Sequence, residues 1–220
     1  MEDITLRALR VLQEADLIAA EDTRHTGILL ARHGLKKPFV SYHEFNEAKR
    51  TPELLVQLQQ GRQIALVSDA GMPTLSDPGQ RLIRAAIEAG IAVEVVPGVS
   101  AITAALVGSG IGSPHARRSL GEGGFLFCGF LPHKSGQRRT ALTRLVPLPY
   151  ALVFFESPYR LLKSLGDMRD VLGNRGVVVA RELTKKFEEF LRGDIESVLK
   201  KLENRSIKGE ITVIVEGRQE

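Results

Sequence analysis

The 220-residue chain is predicted to be an α/β protein: two α/β domains with mostly parallel or mixed sheets. Three observations carry this reading. Short apolar runs alternate with helix-period segments almost from end to end. Gly34, Gly61 and Gly90 close successive helical segments. The alternation fails once, between Val107 and Gly124, where glycine, serine and charge dominate. That interval divides the chain into a domain at 1–112, a linker at 113–124 and a second domain at 125–220.

Taken in order, residues 4–15 carry Ile4, Leu6, Leu9, Val11 and Leu12 at helical spacing, and residues 16–20 form a short strand. A helix over 26–33, a strand over 39–42, a helix over 47–60 and a strand over 63–67 follow. Next come a helix over 79–89, a strand over 92–96 and a helix from about Ser100. Beyond the interval the sequence predicts strand 125–130, helix 137–145, strand 150–155, helix 158–172 and strand 176–182. An extended piece at 187–191, helix 194–203 and strand 210–215 complete the chain.

The apolar fraction of 43% and charged fraction of 25% are those of an ordinary globular protein. No run approaches the roughly eighteen apolar residues a membrane helix needs, and the start is not a signal peptide, so a cytoplasmic location away from membranes is expected. The single cysteine, Cys128, cannot form an intrachain disulfide, which fits a reducing compartment. It lies in an apolar segment and reads as a small buried hydrophobe. The five histidines form no metal-ligand spacing, so no metal is expected. A net charge of +4 is compatible with nucleic acid without requiring it.

In open α/β sheets ligands bind outside the carboxyl ends of strands. Four polar, Gly/Pro-rich segments fall there: AEDTRHT (20–26), SDAGMPTLSDPG (68–79), VVPGVSA (95–101) and FESPYR (155–160). The second spans twelve residues, where a connection of this kind commonly takes about 2–6. Gly71, Gly79 and Gly98 let backbone approach a ligand, and Asp77 reads either as a ligand contact or as the cap of the following helix. There is no P-loop motif, and Gly108-Ser-Gly110-Ile-Gly112 is not a dinucleotide fingerprint and reads as linker.

Together with ARELTK (180–185) and KGEITVIVEG (208–217), these segments resemble the tetrapyrrole-methylase-like, class III S-adenosylmethionine-dependent methyltransferases, and within them the branch acting on ribosomal RNA. The resemblance covers about 200 of the 220 residues in order. It implies a cofactor cleft between the two α/β domains holding S-adenosylmethionine, 2′-O-methylation of a cytidine in 16S rRNA of the small ribosomal subunit, and a homodimer. It assigns Asp69, Ala70, Gly71, Pro73 and Asp77 to one cofactor loop and Pro97, Gly98, Val99, Ser100 and Ala101 to another. Phe155 and Glu156 are counted with them.

Candidates for the base or hydroxyl-orienting group are Glu21, Asp22, Glu182 and Lys185. RNA contacts are expected from Arg24, His25, Lys134, Arg138, Arg139, Arg160 and Lys186. With only twelve aromatic residues and no aromatic RNA-binding motif, backbone and shape reading is expected over base stacking. Members of the family begin with a strand and a Pro-x-Gly-Asn-Leu loop. Here Met1 stands at that leucine, so a first strand and one cofactor loop are expected to be lacking, leaving an apolar slot. Three rival readings are a tetrapyrrole methyltransferase, a non-catalytic RNA-binding protein and a structural dimerising domain.

Overall fold

Four consecutive buried residues, Leu17–Ala20, form β1, the middle strand of the first sheet. β2 (Phe39–Ser41) and β3 (Ile64–Val67) flank it in parallel, with Ala20 opposite Ser41 on one side and Val67 on the other. Burial at every position means that both faces of the sheet are covered, as parallel sheets require. Leu17 and Ala19 pack with Leu54 of α3 (Glu47–Gln59) and Leu82 of α4 (Gln80–Glu88). Ile18 and Ala20, one residue out of phase, pack with Leu12 of α1 (Leu6–Glu14) and Leu30 of α2 (Thr23–Arg32). The computed structural model describes residues 2–111 and 124–218, in two compact units, Met1–Ser100 and Ala101–Glu220.

The segment 92–96, expected as a strand, is not one. A strand needs a neighbour to satisfy its backbone groups, and among the described residues none forms a ladder with it. Val93 and Val95 are exposed.

The second unit is built on a mixed sheet of order β4-β5-β8-β6-β7. β4 (Phe125–Phe130) and β5 (Ala151–Glu156) are parallel. β8 (Ile211–Val215) runs antiparallel to β5 and to β6 (Gly176–Arg181), and β7 (Glu189–Asp194) runs antiparallel to β6. One face, with Leu152, Phe154, Val177, Val179 and Val213, meets α6 (Ser135–Thr143), α7 (Leu161–Leu172) and α8 (Ile195–Leu202). The other, with Ala151, Val153, Val178, Ala180 and Ile214, meets Ile102 and Ala105 of α5 (Ala101–Ser109).

Helix α5 is therefore a layer of the second unit, and the division falls at Ser100/Ala101, ahead of the expected one. Gly108 belongs to this helix rather than to a linker: a Cβ there would collide with the Phe190 ring of β7. Of the expected linker, residues 113–123 lie outside the described residues.

Candidate active site

Because β1, β2 and β3 end at one level, their following loops start side by side. Two of these loops are tied together by carboxylates. After the last ladder bond, Glu21 N–H to Val67 O at 3.2 Å, Asp69 N–H donates to Glu21 Oε2 at 3.1 Å. Asp22 N–H in turn donates to Asp69 Oδ1 at 3.2 Å. The other Asp69 oxygen lies 3.0 Å from His25 Nδ1. Asp22 also caps α2 by accepting from Arg24 N–H at 2.8 Å, and it pairs with the Arg24 guanidinium at 2.6 Å. Those Arg24 bonds hold the Asp22 carboxyl far below the usual carboxylate range.

The long loop after β3 meets the segment after Val96. An ideal Cβ on Gly71, whose φ is +78°, would sit 3.5 Å from Val99 O, and one on Gly98 would sit 3.8 Å from Met72 Cγ. Thr5 Oγ1, which caps α1, lies 3.5 Å from Pro97 O. Thr74 and Ser76 also adopt positive φ, unusual for residues with a Cβ and costly unless the surroundings fix it. Gly79, not Asp77, is the N-cap of α4; its φ is +132°, and a Cβ there would press on Leu66 Cδ2.

In the second unit, residues 181–186 and 208–210 form a separate cluster. Glu182 N–H donates to Glu210 O at 2.9 Å, and Glu210 N–H donates back to Glu182 Oε1 at 3.0 Å. Lys185 Nζ bridges Glu182 at 3.1 Å and Glu210 at 3.0 Å. Gly209 is needed here, since a Cβ would enter the Glu182 carboxylate. The Glu210 N–H, and then Lys185, lower the Glu182 pKa. Burial pulls the Lys185 ammonium down, but its bonds to Glu210 and Glu182 outweigh that and raise it. Glu182 and Asp22 are thus poor proton acceptors in this arrangement, and Lys185 holds its proton.

Residues 1–199 match the model of a protein family described as tetrapyrrole (corrin/porphyrin) methylases. The chain belongs to the tetrapyrrole methylases. A relative from Halalkalibacterium halodurans, "Ribosomal RNA small subunit methyltransferase I", is 48% identical over 220 residues, covering 100% of this chain and 73% of that protein. One of the same name from Thermotoga maritima is 45% identical over 219 residues, covering 100% of this chain and 94% of that protein. Among solved structures, the methyltransferase CobJ aligns with a TM-score of 0.68 at 18% identity, over 100% of this chain and 91% of that one. Uroporphyrin-III C-methyltransferase from Thermus thermophilus, in complex with S-adenosyl homocysteine, aligns with a TM-score of 0.62 at 20% identity, over 97% of this chain and 91% of that one.

Within this tetrapyrrole methylase fold, the structure sorts the predicted residues. Glu21, Asp22, Arg24, His25 and Asp69 come together at one sheet edge. Ala70 and Gly71 are exposed beside them, with Pro73 and Asp77 half-buried farther along the loop. Pro97 and Gly98 are exposed in the adjoining segment; Ser100 is half-buried, and Ala101 opens α5. In the second unit Phe155 is half-buried, with the Phe127 ring edge-on to it and the Phe130 ring tilted against it. Lys134, Arg139 and Lys186 remain at or near the surface, Arg139 paired with Asp167 and Asp170 and Lys186 lying over the Phe187 ring.

Three expectations change. Arg138 is 3% exposed, paired with Asp167 at 2.6 Å and bonded to the carbonyls of Pro132 and His133, so it is an interior group and not a phosphate contact. Arg160, expected at RNA, pairs with Glu156 at 2.8 Å and donates to Leu131 O, and Glu156, expected at the cofactor, is a buried carboxylate engaged by Arg160, the Ser157 N–H and the Ser164 hydroxyl. Asp167, which anchors Arg138 and Ser135, went unnoticed because it sits inside a helix with no local motif. The loop after β2, SYHEFN (41–46), also went unnoticed, although it starts at the same sheet edge as the two loops above.

Proposed function

We propose that this protein transfers a methyl group from S-adenosylmethionine to ribosomal RNA of the small subunit, the acceptor being a cytidine ribose 2′-hydroxyl in 16S rRNA. The observation that carries the reading is the 48% identity across the whole chain with a small-subunit rRNA methyltransferase. The solved tetrapyrrole enzymes stand at 18–24%. The reading includes a homodimer, as the resemblance implies, and a cytoplasmic location, as expected from the sequence.

The residues present fit the cofactor. A side chain on Gly71 would project toward the Val99 carbonyl, and its φ of +78° is one that glycine adopts without strain. Backbone is thus laid open there for the adenosine and amino-acid ends. S-adenosylmethionine, when bound, supplies an electrophilic methyl group on a cationic sulfur. Glu21, Asp22 and Asp69 set negative charge along the neighbouring edge. A ribose hydroxyl is a poor nucleophile at neutral pH, and the pKa directions of Asp22, Glu182 and Lys185 oppose a role as proton acceptor. Alignment of acceptor and methyl can contribute roughly 7–11 kcal/mol, and Glu21 stays as the candidate base or hydroxyl-orienting group.

The test is transfer of labelled methyl from S-adenosylmethionine to small-subunit particles, with a porphyrinogen as competing acceptor. Label is expected in the RNA, and Gly71→Val is expected to weaken cofactor affinity more than RNA affinity. Label in the porphyrinogen alone would overturn the reading, as would an unlabelled RNA in the presence of intact cofactor binding.

A further inference from the structure

We infer that Phe45 is a stacking platform for a nucleobase of the RNA substrate; the inference rests on the function proposed above. The loop that carries it is built rigidly. Tyr42 N–H donates to Ala20 O at 2.7 Å, and the fully buried Tyr42 hydroxyl meets Thr51 Oγ1 at 2.8 Å. Asn46 closes the turn: its Oδ1 accepts from His43 N–H at 2.9 Å, and its Nδ2 donates to Ser41 O at 3.2 Å and Ser41 Oγ at 3.1 Å. Glu47 N–H then donates to His43 O at 2.9 Å and leads into α3.

From this fixed turn the Phe45 ring stands 93% exposed, with His43 edge-on at 6.1 Å. It contributes nothing to the core, and its chain neighbours Glu44 and Asn46 are polar. A protein or membrane partner would need a contiguous apolar patch. A lone ring face among polar groups is instead sufficient for one base, since every base has a π-face. The position is the one where such a ligand belongs, because β2 ends level with β1 and β3, whose loops carry the methylase motifs. A low aromatic count argued against stacking; the placement of this ring argues for it.

The experiment compares full-length parent, Phe45→Ala, Phe45→Leu, Phe45→Tyr and Phe45→Trp for affinity to purified small-subunit RNA and, separately, to S-adenosylmethionine. Phe45→Ala and Phe45→Leu are expected to lose roughly 5- to 150-fold in RNA affinity, the effect of one stacked base. Phe45→Tyr should bind like the parent, and cofactor affinity should stay within about twofold throughout. The chain has no tryptophan and three tyrosines, so Phe45→Trp gives a single tryptophan, excited apart from the tyrosines, whose fluorescence should be quenched by RNA. Unchanged RNA affinity in the leucine variant overturns the inference while leaving the function standing. Loss of cofactor affinity in place of RNA affinity overturns it too. A parent that binds cofactor but not small-subunit RNA defeats the function reading, and this inference with it.

Discussion

Replacing Glu156 by alanine should unfold the protein more readily without acting on the chemistry. The Glu156 side chain is 1% exposed and that of Arg160 15%, so the pair is interior. The carboxylate accepts from Arg160 Nε at 2.9 Å, from Ser157 N–H at 2.8 Å and from the buried Ser164 hydroxyl. Removing it strands the guanidinium and two further donors. Breaking one side of a buried pair costs about 3–5 kcal/mol, against a total stability of about 5–15 kcal/mol. At about 2–4 °C per kcal/mol for a chain of this size, the melting temperature should fall by about 6–20 °C. The double variant Glu156→Ala/Arg160→Ala should lose less than the sum of the two single changes. Thermal unfolding followed by circular dichroism reads both quantities. A fall under about 2 °C, with cofactor affinity lost, would refute the structural role and return Glu156 to the ligand.

Arg138→Ala should also destabilise, by about 3–5 kcal/mol, because Asp167 is left buried beside it; Lys134→Ala should leave stability unchanged and flatten the salt dependence of RNA binding by roughly 0.7 in log–log slope. Gly79→Ala should destabilise by more than the roughly 0.4–1 kcal/mol that a compatible glycine-to-alanine change gains, read by urea unfolding, since φ is +132° and Leu66 occupies the space. The Glu182–Lys185 latch sets a pH window. The lowered Glu182 contributes stability above its ordinary pKa of 4.5, and that contribution is lost as pH falls through the depressed value. The raised Lys185 contributes below its ordinary 10.5, and that contribution is lost as pH rises through the raised value. The stability gap between parent and Lys185→Met should therefore be flat between those limits and shrink outside them; a gap that varies through neutrality would refute the latch.

Most elements were legible because their signals are local. The unbroken apolar run Leu17–Ala20, helix spacing in Leu6–Glu14 and the glycines after α2, α3 and α4 need no tertiary knowledge. What failed was relational. Residues 92–96 have strand composition, but pairing is decided by a neighbour, not by valines. Gly108 looked like a linker glycine because nothing local announces Phe190. Arg138 and Arg160 looked like surface cations because their carboxylates, Asp167 and Glu156, are fixed by helix packing and by a buried strand end. The loops AEDTRHT and SDAGMPTLSDPG were visible from their positions after β1 and β3, whereas VVPGVSA was placed after a strand that does not form. The same rule applied to β2 would have found SYHEFN, whose turn is closed by Asn46 without a glycine or proline to mark it.

The reciprocal bonds between the loops after β1 and β3 have an electrical consequence. By lending their oxygens to the Asp22 and Asp69 amides, Glu21 and Asp69 extend the sheet past its last backbone rung and quench the N–H dipoles that normally make such an edge attractive to anions. What is left facing outward there is acceptor oxygen and carboxylate charge, with the Arg24 guanidinium already engaged by Asp22. This rim favours a cationic sulfur centre and repels phosphate. The Arg24 guanidinium is exposed on this rim, but its charge is shared with Asp22, so a phosphate meets more carboxylate than cation there.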